Sequence, residues 1–188
     1  MIIVSDIDNC LNNLTEKAVE LYNTRNGKNI KLSDLTTYQF GECLSQEDAD
    51  GICSLFKEKE LWDSLTPIEG SYDALKTIMN NGHEVYLATA TDPVNFAWKC
   101  EWIQKHFDFF PVRNIIRIHD KHLLQCYVMI DDCIDNLTSS FCERIVFNHP
   151  WNENNKDSTY NIHRAHNWSD IVSIIGTIDI ETKELDVI

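Results

Sequence analysis

Short, mostly apolar runs recur along the chain, and each of them predicts a buried strand. The first run, Ile2-Ile3-Val4, consists of three β-branched residues. Runs of a similar kind follow at 84–87, 115–118, 127–130 and 145–147. Short apolar runs that are bounded by polar residues are typical of strands covered on both faces of a sheet.

Between these runs, apolar residues recur at every third or fourth position, which is the spacing of amphipathic helices. The predicted helices lie at 12–23, 45–56, 71–80, 96–107 and 168–175. From position 71 onward, helices and strands alternate. This alternation predicts an α/β fold in which helices flank a parallel sheet through right-handed crossovers. A further edge strand is predicted in the acidic tail after position 175.

The alternation is interrupted directly after the first strand. Residues 14–66 contain two helical patterns and a mixed segment, but no apolar run of the strand type. This break predicts a small helical cap at 14–66, inserted into an α/β core formed by 1–13 and 67–188.

Polar side chains follow several of the predicted strands at the point where each strand ends. Asp6 and Asp8 follow the first strand, Thr89 the second, and Asp131 and Asp132 the fourth. Alternation along a strand directs Asp6 and Asp8 to the same side. Because ligands of open parallel sheets bind at the carboxyl ends of the strands, we expect these groups to meet there. Clustered carboxylates suit a hard divalent cation such as Mg²⁺; an ordinary Asp-Asn turn after the first strand is the alternative.

Composition narrows the classes of function. The formal net charge of −14 argues against a protein that grips nucleic-acid phosphates. No apolar run approaches the ~20 residues that a membrane helix needs, and no basic-then-apolar leader precedes the first strand. The seven cysteines show no zinc-type spacing, so we interpret most of them as small core residues in a reducing compartment. A cytoplasmic location without membrane or nucleic-acid partners is expected.

The motifs Asp6-Ile7-Asp8, Thr89, Lys121 and Asp131-Asp132 occur in the order found in the haloacid dehalogenase superfamily of phosphatases, which the chain resembles. Within that superfamily it resembles the 5'(3')-deoxyribonucleotidase family over most of its length. The segments that carry this resemblance are LTTYQF at 35–40, LTPIEG at 65–70, GHEVY at 82–86, MIDD at 129–132 and FNHPWN at 147–152.

The resemblance implies a Rossmann-like core with a helical cap, and hydrolysis through an aspartyl phosphate. Asp6 is then the nucleophile, and Asp8 protonates the leaving oxygen and afterwards activates water. It also implies Mg²⁺, held by Asp6, the backbone carbonyl of Asp8, and one of Asp131 and Asp132. The implied substrates are deoxyribonucleoside 5'- or 3'-monophosphates.

The resemblance further assigns the phosphate oxygens to Thr89, the amide of Ala90 and Lys121. Lys99, on the helix after the second strand, is a second candidate for the lysine. The chain departs from the superfamily pattern at Asn9, where a glycine is usual; asparagine tolerates a left-handed backbone. It also carries Asp92 near the expected anion site, where the carboxylate must point to solvent.

Aromatic residues of the predicted cap offer flat walls on which a nucleobase can stack. The expected base pocket consists of Leu14, Tyr38, Phe40, Phe56 and Trp62. The alternative is that Phe56 and Trp62 merely build the cap's own core.

Two polar segments near the fourth and fifth strands allow a structural interpretation. We interpret Asp135 and Asn136 as caps of the following helix. His149, Trp151 and residues 152–155 either rim the site or form an ordinary polar loop.

Two other functions remain open at this point. One is a phosphatase for another small phosphate ester or for the 3' end of a nucleic acid. The other is a catalytically silent binding module, which has no need to retain all five motif residues. Self-association into a homodimer is also left open.

Overall fold

The computed structural model describes residues 1–138, 142–154 and 161–185. The elements are β1 (Ile2–Ser5), α1 (Leu14–Asn26), α2 (Gln46–Leu55), α3 (Lys59–Ser64), α4 (Ser71–Asn80), β2 (Glu84–Thr89), α5 (Pro93–His106), β3 (Ile115–Arg117), β4 (Val128–Asp131), α6 (Ile134–Thr138), β5 (Glu143–Phe147), β6 (Ile162–Ala165) and α7 (Trp168–Leu185). Short 3₁₀ turns lie at Leu32–Asp34, Phe40–Glu42, Val112–Asn114 and Lys121–Leu123.

The strands form one parallel sheet with the order β3-β2-β1-β4-β5-β6. This confirms the predicted α/β fold with helices around a parallel sheet. The order places β1 between β2 and β4, so the ends of the three strands that carry candidate site residues are neighbours. Within the described residues, none of the helices combines the length and apolar character needed to cross a bilayer.

Side chains from alternate strand positions build an apolar core on each face of the sheet. Ile3 and Ile7 belong to the larger cluster, which the long helices cover. Val4 points to the other face and packs with the second cluster, formed by Ala88, Met129, Leu137, Val146 and Ile162. The dry environment on both sides explains why β1 consists of β-branched residues.

Three helices, α1 to α3, lie within the segment 14–66, where the break in the alternation predicts two; the division into core and cap stays a prediction. Their entry and exit are joined at one place. The Asn13 side chain accepts a hydrogen bond from the Thr66 amide at 2.9 Å, and Asn12 forms a backbone bridge with Pro67. The amide of Ile68 donates to the Leu11 carbonyl at 2.8 Å.

Several predicted elements are wrong. The acidic tail is helical as far as Leu185, because α7 continues its apolar stripe through Ile178; residues 186–188 lie outside the described part. The sixth strand is instead β6, whose half-exposed sequence IHRA shows little apolar character. Leu61 and Trp62, expected in a connector, lie in α3 and are buried.

The interpretation of the cysteines needs correction as well. Cys10 and Cys133 are buried, whereas Cys53 is exposed and the other four are half-buried. Full burial therefore applies to a minority of them, although Cys43, Cys100, Cys126 and Cys142 still pack against the apolar clusters, as expected.

Two helical glycines differ sharply in the space around them, and this generates a stability prediction. A Cβ at Gly51 in α2 would lie 2.3 Å from the Tyr22 ring of α1. A Cβ at Gly176 in α7 would meet nothing within 4 Å. We expect Gly51→Ala to lower the free energy of unfolding by about 1–3 kcal/mol, because the buried ring must move.

Gly176→Ala is the matched control, and it should raise the free energy of unfolding by about 0.5–1 kcal/mol through helix propensity. Urea unfolding followed by circular dichroism measures both variants. Equal effects of the two substitutions would contradict the close packing of α1 on α2.

Candidate active site

Three buried carboxylates meet at the carboxyl edge of the sheet. Asp6 follows β1, while Asp131 ends β4 and Asp132 follows it; one oxygen of each lies within 4.8 Å of the others. The Asp6 amide donates to the Ile130 carbonyl at 2.8 Å, which continues the β1–β4 pairing up to this point. Parallel pairing of two strands that both end in aspartate therefore creates the cluster.

Burial and mutual repulsion disfavour the ionised forms of these carboxylates. Burial raises the pKa of Asp6 from 3.8 to about 6; the Lys121 ammonium opposes this rise, and Asp131 adds to it. Burial, followed by the charges of Asp131 and Asp6, raises the pKa of Asp132 well above its ordinary value. Carboxylates whose pKa burial has raised are stabilised by a bound cation, which favours their ionised forms.

The donor set fits a divalent metal ion. Oδ1 of Asp6 is buried and makes no well-directed hydrogen bond, although Nζ of Lys121 lies 2.9 Å away. All three carboxylates are buried, and Oδ1 of Asp6 is free of well-directed hydrogen bonds. Carboxylate oxygens are the hard ligands that Mg²⁺ prefers. Asp6, Asp131 and Asp132 are therefore the residues that could hold a metal, whereas the Asp8 side chain lies outside this cluster.

Hydrogen bonds hold Asp131 from several sides. Nζ of Lys121 donates to its Oδ2 at 2.7 Å, and the amide of Cys133 donates to its Oδ1 at 2.9 Å. Nδ2 of Asn136 reaches both oxygens, at 3.0 and 3.1 Å. The interpretation of Asn136 and Asp135 as helix caps is therefore wrong, because both lie inside α6 and Asn136 orients a site carboxylate.

Asp132 is oriented by residues from two loops. Its Oδ2 accepts hydrogen bonds from Nδ2 of Asn9 at 3.2 Å and from Nε1 of Trp151 at 3.0 Å. Its backbone carbonyl accepts from Nδ2 of Asn152. Of the two interpretations of His149, Trp151 and residues 152–155, the contacts of Trp151 and Asn152 support the one in which they border the site; Asn155 lies outside the described residues.

A second charged group lies beside the three-carboxylate cluster. Nζ of Lys99 donates to Oδ2 of Asp8 and, at 2.5 Å, to Oγ1 of Thr89. Nδ2 of Asn12 donates to the other Asp8 oxygen at 3.0 Å. Lys99 is only 2% exposed and lies 5.3 Å from the centre of the Trp62 ring. The structure thus separates the two candidate lysines: Lys121 contacts Asp6 and Asp131, and Lys99 contacts Asp8 and Thr89.

The turn after β1 depends on Asn9. Its φ of 57° is left-handed, in line with the expectation for an asparagine at the usual glycine position. Its side chain also accepts a hydrogen bond from the Thr15 amide at 3.0 Å, so the turn is tied to the start of α1. The Asn9 carbonyl lies 2.7 Å from Nε2 of His149, which donates to it.

A cavity of about 620 Å³ opens over Asp8 and Lys99. All five residues of the expected base pocket line it: Leu14, Tyr38, Phe40, Phe56 and Trp62. Leu14 and Trp62 are also part of the apolar core, and Nε1 of Trp62 donates to the Phe56 carbonyl at 2.8 Å. Trp62 and Phe56 therefore stabilise the helical segment and wall the cavity at the same time; their contact with a base stays a prediction.

Two residues next to β2 border the same cavity. Ala90 lies at its edge, directly after Thr89. Asp92 is exposed, and its carboxylate accepts a hydrogen bond from the Asn95 amide at 2.9 Å, which caps α5. The cap role explains why an acid is tolerated near the expected anion site.

Sequence comparison with known proteins gives matches over most of the chain. A sequence model of the family described as 5' nucleotidase, deoxy (pyrimidine), cytosolic type C protein matches residues 1–184. The 5'(3')-deoxyribonucleotidase of Bacillus subtilis (strain 168) is 29% identical over 174 residues, covering 90% of this chain and 95% of that protein. The protein of the same name from Clostridium acetobutylicum is 28% identical over 145 residues, covering 76% and 78%.

Solved structures resemble the fold. A haloacid dehalogenase-like hydrolase from Streptococcus pneumoniae superposes with a TM-score of 0.64 at 13% identity, covering 93% of this chain and 97% of that one. The protein tyrosine kinase A of Mycobacterium tuberculosis reaches a TM-score of 0.62 at 15% identity, with the same coverage. At these identities the likeness concerns the architecture alone.

The environment of His149 generates a prediction on pH. Burial lowers the pKa of His149 from 6.5 to about 4, against the opposing effect of its hydrogen bond to the Asn9 carbonyl. Between these two pH values the unfolded chain binds a proton that the folded chain does not. The contribution of His149 to stability should therefore decrease as the pH falls from about 6.5 to about 4.

Urea unfolding at a series of pH values tests this expectation in the wild type and in His149→Gln. The variant should lose less stability over that pH window, whatever its stability at pH 7. Parallel curves for the two proteins would contradict a neutral, buried imidazole.

Proposed function

The chain belongs to the 5' nucleotidase, deoxy (pyrimidine), cytosolic type C protein family, and we propose that it hydrolyses deoxyribonucleoside 5'- or 3'-monophosphates to nucleoside and phosphate. As a member of this family with a haloacid dehalogenase-like fold, it is a phosphoric monoester hydrolase. The cytosolic description of the family supports a cytoplasmic location.

One observation carries the proposal: a buried carboxylate cluster lies beside the Asp8–Lys99–Thr89 group, with an aromatic-walled cavity above it. The carboxylate cluster suits a metal ion and a nucleophile. The Asp8–Lys99–Thr89 group suits a phosphate, and the aromatic walls of the cavity suit a planar base. A volume of about 620 Å³ is in the usual range for small-molecule sites.

Mg²⁺ is the proposed metal, with Asp6, Asp131 and Asp132 as its side-chain ligands and the Asp8 carbonyl as a further candidate. When bound, it supplies positive charge that lowers the repulsion between a phosphate dianion and the carboxylates. Asp6 and Asp132, whose pKa values burial has raised, would be held in their ionised forms by a cation bound between them.

Asp6 is the proposed nucleophile. One of its oxygens attacks phosphorus, the bond from phosphorus to the sugar oxygen breaks, and an aspartyl phosphate forms. Asp8 gives its proton to the leaving oxygen. It then accepts a proton from the water that attacks the aspartyl phosphate, so phosphate leaves and Asp6 is restored.

Cationic and hydrogen-bonding groups are proposed to hold the phosphate oxygens. Lys99 contacts both Asp8 and Thr89; moving its ammonium onto a substrate oxygen would release Asp8 to take up from solvent the proton that it then gives to the leaving oxygen. Oγ1 of Thr89, the Ala90 amide and Lys121 supply the remaining donors. Lys121 keeps its charge there, because Asp131 and Asp6 raise its pKa despite the opposing effect of burial.

Phosphate release from a panel of deoxy- and ribonucleoside monophosphates tests the function, with EDTA and with added Mg²⁺. We expect turnover of deoxynucleotides that EDTA removes and Mg²⁺ restores. Asp6→Asn should lower kcat/KM by about 10³-fold or more, because the amide is not a nucleophile.

Asp73→Asn, the same change on the exposed side of α4, is the matched control and should keep wild-type turnover. The proposed substrate class would be wrong if the protein hydrolysed generic phosphate esters or 3'-phosphorylated oligonucleotides but no nucleotides. An absence of turnover on every substrate would favour a silent binding module.

Lys99→Gln tests the role of the buried lysine. We expect kcat/KM to fall by about 10²-fold, because an ammonium aimed at the phosphate is lost. Lys105→Gln, on the exposed side of the same helix, is the control for loss of charge and should leave kcat/KM unchanged. An unchanged kcat/KM in a folded Lys99→Gln protein would exclude Lys99 from phosphate binding.

A further inference from the structure

Two cysteines lie together at the amino-terminal edge of the sheet. Cys126 is two residues before β4, and Cys142 directly precedes β5. These strands are neighbours whose register aligns Val128 with Glu143, and the Glu143 amide donates to the Tyr127 carbonyl at 2.9 Å. Parallel pairing therefore brings together two thiols that are distant in sequence, at the edge opposite the carboxylate cluster.

The two thiols are neighbours. Strand register and packing on the same apolar cluster bring the Cys126 and Cys142 side chains together, so that each shifts the pKa of the other. Both side chains pack against the second apolar cluster, yet both remain half-buried rather than enclosed. The pair is thus fixed by strand pairing and packing while a small reagent still reaches it from solvent.

This proximity makes the two sulfurs unequal. The Cys126 thiol lowers the pKa of Cys142 against the effect of burial, and the Arg144 guanidinium lowers it further. Cys142, together with burial, raises the pKa of Cys126. An attacking thiolate next to a protonated thiol is the arrangement of redox-active cysteine pairs.

The buried cysteines have a different environment. Cys10 and Cys133 lie near the acidic site, and burial followed by neighbouring aspartates raises the pKa of each thiol. Buried thiols of raised pKa are poor nucleophiles. Cys53 is exposed, and partial burial followed by Asp50 raises its pKa as well.

We propose that Cys126 and Cys142 are a redox-active dithiol that a peroxide oxidises to an intramolecular disulfide. The Cys142 thiolate attacks hydrogen peroxide, the O–O bond breaks, and a sulfenic acid forms while hydroxide leaves and takes up a proton as water. Cys126 then loses its proton and attacks the Cys142 sulfur. The S–S bond forms, the S–O bond breaks, and a second water leaves.

The two thiols are thereby oxidised by two electrons, and one peroxide is reduced to two waters. A thiol reductant reverses the reaction by thiol–disulfide exchange. The new bond would join the segment that carries Lys121, which ends at β4, to the start of β5.

The test uses the reduced full-length protein and hydrogen peroxide. After oxidation, free thiols are alkylated and the protein is digested without reductant by a protease that cleaves before aspartate. Such cleavage places the three cysteines of this region on separate peptides: Cys126 on 120–130, Cys133 on 132–134 and Cys142 on 135–156.

We expect the intact mass to fall by two hydrogen atoms, with peptides 120–130 and 135–156 linked and dithiothreitol separating them. Cys126→Ser should abolish this link and leave Cys142 as sulfenic acid, which a dimedone probe detects. Cys53→Ser, which removes an exposed thiol, should leave the link intact.

Linkage of either peptide to any other cysteine would overturn the proposal, as would complete alkylation of both thiols after peroxide treatment. Because the linked peptide is sought in the wild-type protein, the proposal stays falsifiable even if a serine variant fails to fold.

Discussion

Crowding of buried negative charge at the carboxyl edge of the sheet is the constraint on which the rest of the site depends. Asp6, Asp131 and Asp132 are brought together by strand pairing that the apolar core enforces, so they cannot separate without loss of the sheet. Placing like charges in a dry environment is costly unless cations and donors compensate it. The surrounding lysines, asparagines and Trp151 serve this purpose, and a divalent cation fits the remaining charge.

The positions of the site carboxylates were predictable from sequence. The β-branched run before Asp6 and the apolar run before Asp131 each identify a strand, and the parallel sheet then brings the strand ends together. The same pattern identified the fold class and most helices; α4 was predicted with its observed bounds. Cavity-lining residues such as Phe56 could be predicted because the interrupted alternation identified the helical segment that contains them.

The supporting residues were harder to predict because their signal is tertiary. Asn136 looks like a helix cap in sequence, and only the approach of α6 to Asp131 shows its role. Trp151 contacts Asp132 from a loop, where no periodicity operates. Strand β6 was missed because an edge strand with one half-exposed face carries few apolar residues. The proximity of Cys126 to Cys142 depends on strand register, which composition does not encode.

The joined entry and exit of the segment 14–66 restrict how this segment can move. Asn13 holds the Thr66 amide, and the Asn9 side chain holds the start of α1, so both connections and the turn after β1 meet at one point. Because both connections are fixed there, the segment cannot slide across the sheet, and a rotation about that point would first break its contacts with α5, such as the hydrogen bond from Nδ2 of Asn95 to the Phe56 carbonyl. Such a rotation would change the distance from Phe56 to Lys99, because they lie on opposite sides of the connection, while the turn would keep the position of Asp8 relative to Asp6.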